Sequence, residues 1–382
     1  MTKSILITEA SQKNTLGIVR SLGQKGFNVY VLANSKLDQS IYSRYCKGYL
    51  LLKKFDFAEI KNFIIKKKIE VVLPIGINSL KFFSDNESLF EGITKFLIPT
   101  KKQINTTISK ELTIELAKSL SIPCPKSLFP NSVEDLFCVS SKIGFPCVIK
   151  WKFEVGENIV EYASTEEELI FKFEKMCEKY SFNESTGFPM IQEFIEGKGV
   201  AYFALFERGK LIGSYQHERI REAPPSGGVS VCAKISYNEK IEEYGKSLLT
   251  SLNWNGVAMV EFKMQNNQSY KLMEVNPKFW GSHDLALEAG INFPFEIINL
   301  LSADLRNNPT LPKARNIKIH WPLDGDLKYM FHNKNRIFSV MKDFLNPNVR
   351  SNMKIINDPL PTLLIICLNF INFLRKLIVN IK

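Results

Sequence analysis

Residues 256–277 hold two glutamates and an asparagine at a spacing that suggests chemistry: Glu261, Glu274 and Asn276. Two alternating apolar runs flank a polar turn of Gln and Asn, the pattern of a β-hairpin. A turn centred between Asn267 and Gln268 puts Glu261 opposite Glu274. Asn276, two residues on, then shares the face of Glu274. Opposed like charges in a sheet repel. The arrangement makes sense if a hard cation lies between them, and Mg²⁺ takes a few protein oxygens and completes its shell with phosphates and water. The other reading is a solvated outer face bearing unrelated acids. A slip of one residue in register would separate the pair.

Two lysines are candidate phosphate ligands, Lys110 and Lys150. Lys150 interrupts an apolar strand, where a lysine is unusual unless its head reaches a partner. A phosphate is one such partner, and snorkelling from an edge strand is the other reading. In residues 217–228, Arg219 and Arg221 share a face if the strand continues, and two guanidinium forks suit a carboxylate or phosphate. A surface loop with ion-paired charges is the alternative there. The four histidines show no metal-ligand spacing, and His217 and His283 read as structural or substrate-facing. No Ser nucleophile elbow or Cys/His pair is present.

These groups need elements to position them. Strands are expected at 4–8, 28–32, 48–52, 70–75 and 96–98, with helices at 14–25 and 57–67 between them. Such alternation implies a parallel sheet covered by helices, a Rossmann-like domain. Its first strand-to-helix loop, residues 8–12, has no glycine, so the dinucleotide fingerprint is absent. Helices follow at 109–120, at 132–143 with Ser132 as N-cap, and at 164–180. After Pro189 the strands are antiparallel: 190–194, 200–206, 211–217, 257–264 and 270–276.

The chain has 382 residues, 45% hydrophobic and 23% charged, which are globular values. The net charge is +11, of which +9 falls in residues 306–382 and only +2 in the rest. A nearly neutral body argues against a nucleic-acid partner. Met1–Ile7 reads as a strand and not as a cleaved leader. Seven scattered cysteines without a Cys-x-x-Cys pattern read as free cytosolic thiols, not as disulfides or a zinc site.

The order of a strand lysine, a Gln192–Gly197 strand end, an Arg/Gly loop and a Glu…Glu-Val-Asn-Pro hairpin resembles the ATP-grasp superfamily. That superfamily includes carbamoyl phosphate synthetase and D-alanine–D-alanine ligase. The resemblance covers about residues 1–305 and is carried by 216–228, 256–261 and Leu272-Met273-Glu274-Val275-Asn276-Pro277. The chain is similar to stand-alone members often associated with cell-surface polysaccharide or small-peptide synthesis.

The resemblance implies a Rossmann-like domain at 1–108, an ATP-grasp fold of two α+β subdomains at 109–190 and 191–305, and a basic extension at 306–382. It implies Mg-ATP as cofactor, with Lys110 and Lys150 on the phosphates and Glu261, Glu274 and Asn276 on Mg²⁺. Gln192, Glu193, Phe194 and Ile195 would form the adenine hinge, with Glu196 substituting for a ribose-binding acid. The implied activity joins a carboxylate to an amine through an acyl phosphate, in the cytoplasm. Arg219, Arg221 and Lys278 would clamp the carboxylate. Three departures stand out: a Gly-poor loop at 151–158, no acid just after the hinge glycine, and Lys278 where the family commonly has Arg. The rivals are an ATP-binding regulator without turnover and a membrane-surface scaffold.

Residues 359–374 carry no charge, and Asn369, Asn372, Lys376 and Asn380 form one narrow polar stripe on a helix. With the upstream cations this gives two signals for peripheral contact with the inner face of a membrane. Packing on the protein itself or in a homodimer is the other expectation.

Overall fold

Four short strands rich in Val, Ile and Leu open the chain: β1 (Ser4–Ile7), β2 (Asn28–Ala33), β3 (Cys46–Leu51) and β4 (Ile69–Leu73). They pair in parallel in the order β3-β2-β1-β4. β1 is buried at all four positions, as expected for a strand covered on both faces. One cover is the Phe57–Lys67 helix, which begins where the Asp56 side chain accepts the Glu59 N–H at 2.9 Å. The strand expected at 96–98 is reduced to one parallel bridge, Val71 with Lys95. The computed structural model describes residues 3–154, 159–224, 228–302, 311–312, 316–332 and 336–379.

A second sheet is antiparallel: β5 (Ser127–Leu128), β6 (Cys147–Lys150), β7 (Val160–Ala163) and β8 (Met190–Glu193), in the order β5-β8-β6-β7. The Glu166–Tyr180 helix covers it with Leu169, Phe173 and Met176. The helix expected at 132–143 is instead a 3₁₀ turn, Glu134–Cys138, followed by the short helix Val139–Lys142, and Ser132 caps neither. Val133, Leu136 and Val139 all face this core. Their spacing of three matches three residues per turn, and the intervening Ser and Cys residues favour an α-helix only weakly.

The third sheet has seven strands: β9 (Lys198–Glu207), β10 (Lys210–Ala223), β11 (Val229–Ser236), β12 (Gly256–Met264), β13 (Tyr270–Asn276), β14 (Lys318–His320) and β15 (Val349–Ser351). The order is β13-β12-β9-β10-β11-β14-β15. Ala201, Phe203 and Leu205 of β9 face a core shared with the parallel sheet, so the first and third sheets pack as one body. Tyr202, Ala204 and Phe206 face the opposite way, against the Glu239–Ser251 helix. β11 is absent from the sequence expectations. β14 and β15 come from the basic extension and complete the sheet. All seven cysteines are free.

Candidate active site

β12 and β13 pair so that Glu261 stands opposite Glu274. The turn is centred on Asn267, half a step from the expected place, because Met264 pairs with Tyr270. A bulge leaves Met273 unpaired and restores the register at the glutamates. The polar turn holds itself: Ser269 N–H donates to Asn267 Oδ1 at 3.0 Å, and Gln268 takes a left-handed φ of 58°. Asn276 Nδ2 donates to Glu274 Oε1 at 2.8 Å, on the expected face. The acids are not a solvated outer face, since their side chains are only 13% and 28% exposed.

Both expected lysines reach this hairpin from other elements. Lys150 ends β6, an interior strand of its sheet, and is 8% exposed. An interior strand removes the edge-strand explanation. Burial and the neighbouring Lys110 push its pKa down to about 8, against the pull of Glu274 and Glu261. Lys110 is the first residue of the Lys110–Ser119 helix, whose N-cap Ser109 bridges to Phe153. The positive end of a helix dipole disfavours a cation there. Its ammonium turns to Glu274 Oε2 at 3.8 Å. Burial would raise the Glu274 pKa, but Lys110, Lys150 and Asn276 hold it below the usual range. Glu261 goes the other way: burial and the opposed Glu274 raise it despite Arg219.

The donor set fits a hard divalent cation. Two opposed, partly buried carboxylates and one amide are available, and one of the carboxylates is pushed toward its neutral form. No cluster of three His, Cys, Asp or Glu suited to a metal occurs among the described residues. The rest of a shell would come from phosphates and water, which is the habit of Mg²⁺.

Arg219 belongs to this site. It pairs with Glu261 and, at 3.3 Å, with Glu222, and its buried Nε has no hydrogen-bond partner. Arg221 does not belong, which corrects the shared-face expectation. A bulge at Ile220 sets Arg219 opposite Ala233 but Arg221 opposite Cys232, so the two point to opposite faces. Arg221 ion-pairs with Asp326 at 2.9 Å and with Asp343, both buried, and stacks on Tyr329. Lys278 is taken up by Glu154 at 2.7 Å. The loop at 155–158 lies outside the described residues.

The residues expected as the hinge run from the end of β8, Gln192 and Glu193, into the link toward β9. The buried Gln192 donates to Ser127 Oγ at 3.0 Å while its Oε1 has no partner. Glu193 is held by Lys271 at 2.8 Å and by the Lys126 N–H at 3.0 Å, which ties the hinge to β13. Phe194 is exposed, Ile195 buried and Glu196 exposed. Glu222 and Glu154, the partners of Arg219 and Lys278, escaped the sequence reading. Glu222 carried a weak signal as the acid three residues after Arg219, and Glu154 carried none. His217, two residues before Arg219, is buried with both ring nitrogens unpartnered.

A family model described as "ATP-grasp in the biosynthetic pathway with Ter operon" matches residues 189–321. The carbamoyl phosphate synthase large chain of Caldanaerobacter subterraneus subsp. tengcongensis is 26% identical over 199 residues, 50% of this chain and 18% of that protein. The chain therefore spans less than a fifth of that relative. Among solved structures, the biotin carboxylase domain dimer of Hydrogenobacter thermophilus 2-oxoglutarate carboxylase, in complex with MgADP, ADP and bicarbonate, matches with a TM-score of 0.67. It is 15% identical, with 81% of this chain and 72% of that one covered. The ADP complex of N5-carboxyaminoimidazole synthetase from Staphylococcus aureus matches with a TM-score of 0.62 at 16% identity, covering 81% and 80%. At such identities these structures speak for the fold. Together with the family match over residues 189–321, the hairpin and the two lysines, they lead to one statement: the chain carries an ATP-grasp superfamily domain, similar in sequence to part of carbamoyl phosphate synthase large chains and alike in fold to biotin carboxylases.

Proposed function

We propose that this protein is an ATP-dependent ligase that joins a carboxylate to an amine through an acyl phosphate, releasing ADP and phosphate. One observation carries the reading: Lys110 and Lys150, from two separate elements, converge on the opposed pair Glu261 and Glu274. Glu261, Glu274 and Asn276 would hold Mg²⁺, which when bound neutralises charge on the nucleotide phosphates. Lys110 and Lys150 point positive charge at the same phosphates, and burial makes each contact stronger than it would be in water. Backbone groups of the hinge at 192–196 would receive the adenine.

Arg219, partly exposed beside Glu261, would offer its guanidinium to a substrate carboxylate. The substrate carboxylate attacks the γ-phosphorus and the bond to ADP breaks. The amine then attacks the acyl carbon, the bond from that carbon to the bridging oxygen breaks, phosphate leaves with its electron pair, and the proton lost by the nitrogen passes to phosphate or water. Positioning supplies most of the rate. Lys278 would join the clamp once released from Glu154. In this reading residues 1–108, 109–190 and 191–305 act as three units around the nucleotide. The reaction sits in the cytoplasm, where ATP is supplied and free thiols stay reduced.

The test is ATP consumption against panels of carboxylates and amines, with products followed by mass spectrometry. ADP and an amide formed in equal amounts, only with both substrates present, is the expected result. Tight Mg-ATP binding with no ADP formed under any pair would replace the ligase with an ATP-binding regulator.

A further inference from the structure

The sequence pattern leaves open which face of the last helix meets the protein. The Pro359–Val379 helix is anchored at its start. Asp358, just before it, is buried and bonded to Arg20 Nε at 2.8 Å, Ser43 Oγ at 2.8 Å and the Arg44 N–H at 2.9 Å. Thr362 is buried, and Asn369 Nδ2 donates to the Leu323 carbonyl at 3.2 Å. The polar stripe is thus turned inward at Asn369. Leu363, Ile366, Phe370 and Phe373 form an i, i+3, i+7, i+10 row that faces out, with Phe370 59% exposed. From Phe370 to Arg375 every side chain is exposed.

The preceding helix, Ile337–Leu345, repeats the arrangement. Val340 and Asp343 are buried, while Phe338, Met341 and Leu345 form an outward row, with Phe338 81% exposed. Asp343 joins this helix to Arg221, whose other partner, Asp326, lies in the Pro322–Asp326 turn that receives Asn369. The two helices therefore border the same turn.

The charges complete the picture. Asp326, Asp343 and Asp358 are buried on partners within the protein. The cations Lys328, Lys342, Arg350 and Arg375 are exposed, Arg350 lying 3.9 Å from Glu288. No described helix is long and apolar enough to cross a membrane.

We propose that residues 337–379 form a seat for an anionic lipid bilayer. The two apolar rows lie at the headgroup level and the exposed cations meet lipid phosphates and carboxylates. A surface helix with an apolar face and a basic surround binds in this way, by burial and by charge together. A second copy is the poorer occupant, because it would bring another extension of +9 against the first. The proposal does not depend on the nucleotide chemistry.

The test is co-sedimentation of the full-length protein with vesicles of pure phosphatidylcholine or of phosphatidylcholine with 30–40% phosphatidylserine. These are compared at roughly 0.05 and 0.5 M salt, where the Debye length falls severalfold. We expect binding to the anionic vesicles at low salt, at least about tenfold weaker at high salt or on the neutral vesicles. Phe370→Asp/Phe373→Asp changes two exposed residues, so the protein should fold, bind nucleotide as before and lose vesicle binding. Absence of binding to anionic vesicles at low salt overturns the proposal. So does binding that the double substitution leaves unchanged. A concentration-dependent dimer in light scattering that the same substitutions abolish would assign the face to a second copy instead.

Discussion

Lys150 offers a pH test of the site. Burial and Lys110 lower its pKa from an ordinary 10.5 to about 8. That difference is worth about 3 kcal/mol at 1.36 kcal/mol per decade. Without a phosphate the ammonium is therefore held against a substantial penalty, and it is lost as the pH rises through about 8. The protonated form is the one that binds phosphate. At pH 7 about nine-tenths of the lysine is charged and at pH 9 about one-tenth, so nucleotide affinity should fall about tenfold between them. Proton uptake on binding should appear over the same range, measured by calorimetry in two buffers of different ionisation enthalpy.

Lys150→Arg keeps its charge throughout and should flatten the profile, although a fork fits the space less well. The folded protein binds fewer protons here than the unfolded chain between about 8 and 10.5. The contribution of this residue to stability should accordingly rise with pH across that window and be lost as the pH falls through about 8. A nucleotide affinity unchanged between pH 7 and 9 in the wild type, or an equal decline in Lys150→Arg, would refute the reasoning.

The hairpin makes a second prediction. Glu261→Gln/Glu274→Gln keeps shape and removes the charge a cation needs, so Mg²⁺-dependent turnover should drop by about 10³-fold or more with the fold retained by circular dichroism. Wild-type turnover in the folded double variant would sink the metal assignment. The two arginines should separate cleanly. Arg219→Lys should raise the KM for the carboxylate by about 10–100-fold and leave nucleotide affinity within about twofold. Arg221→Met should leave that KM alone but reduce Asp343 to its pair with Lys318 and Asp326 to its bond with His320, costing about 1–3 kcal/mol in chemical denaturation. Reversed behaviour of the pair would mean that Arg221, not Arg219, meets substrate.

The hairpin was legible in the residues because its information is local. Alternation assigns faces, and a polar turn fixes register to within a residue, so Glu261, Glu274 and Asn276 could be grouped without a structure. A lysine inside an apolar run was legible for a similar reason, since burial of a charge demands a partner nearby. The parallel sheet followed from strands separated by helices. Tertiary structure decided what depends on distant pairing. The bulge at Ile220 exists only against β11, a strand not seen in the sequence, and it sends Arg219 to the site and Arg221 to the extension. Lys110 meets Glu274 and Lys278 meets Glu154 only because separate sheets pack together. The last helix shows the limit most plainly. A helical pattern tells that two faces differ, but not which is covered. That choice rests on Asp358 with Arg20 and Asn369 with Leu323, contacts between segments far apart in the chain.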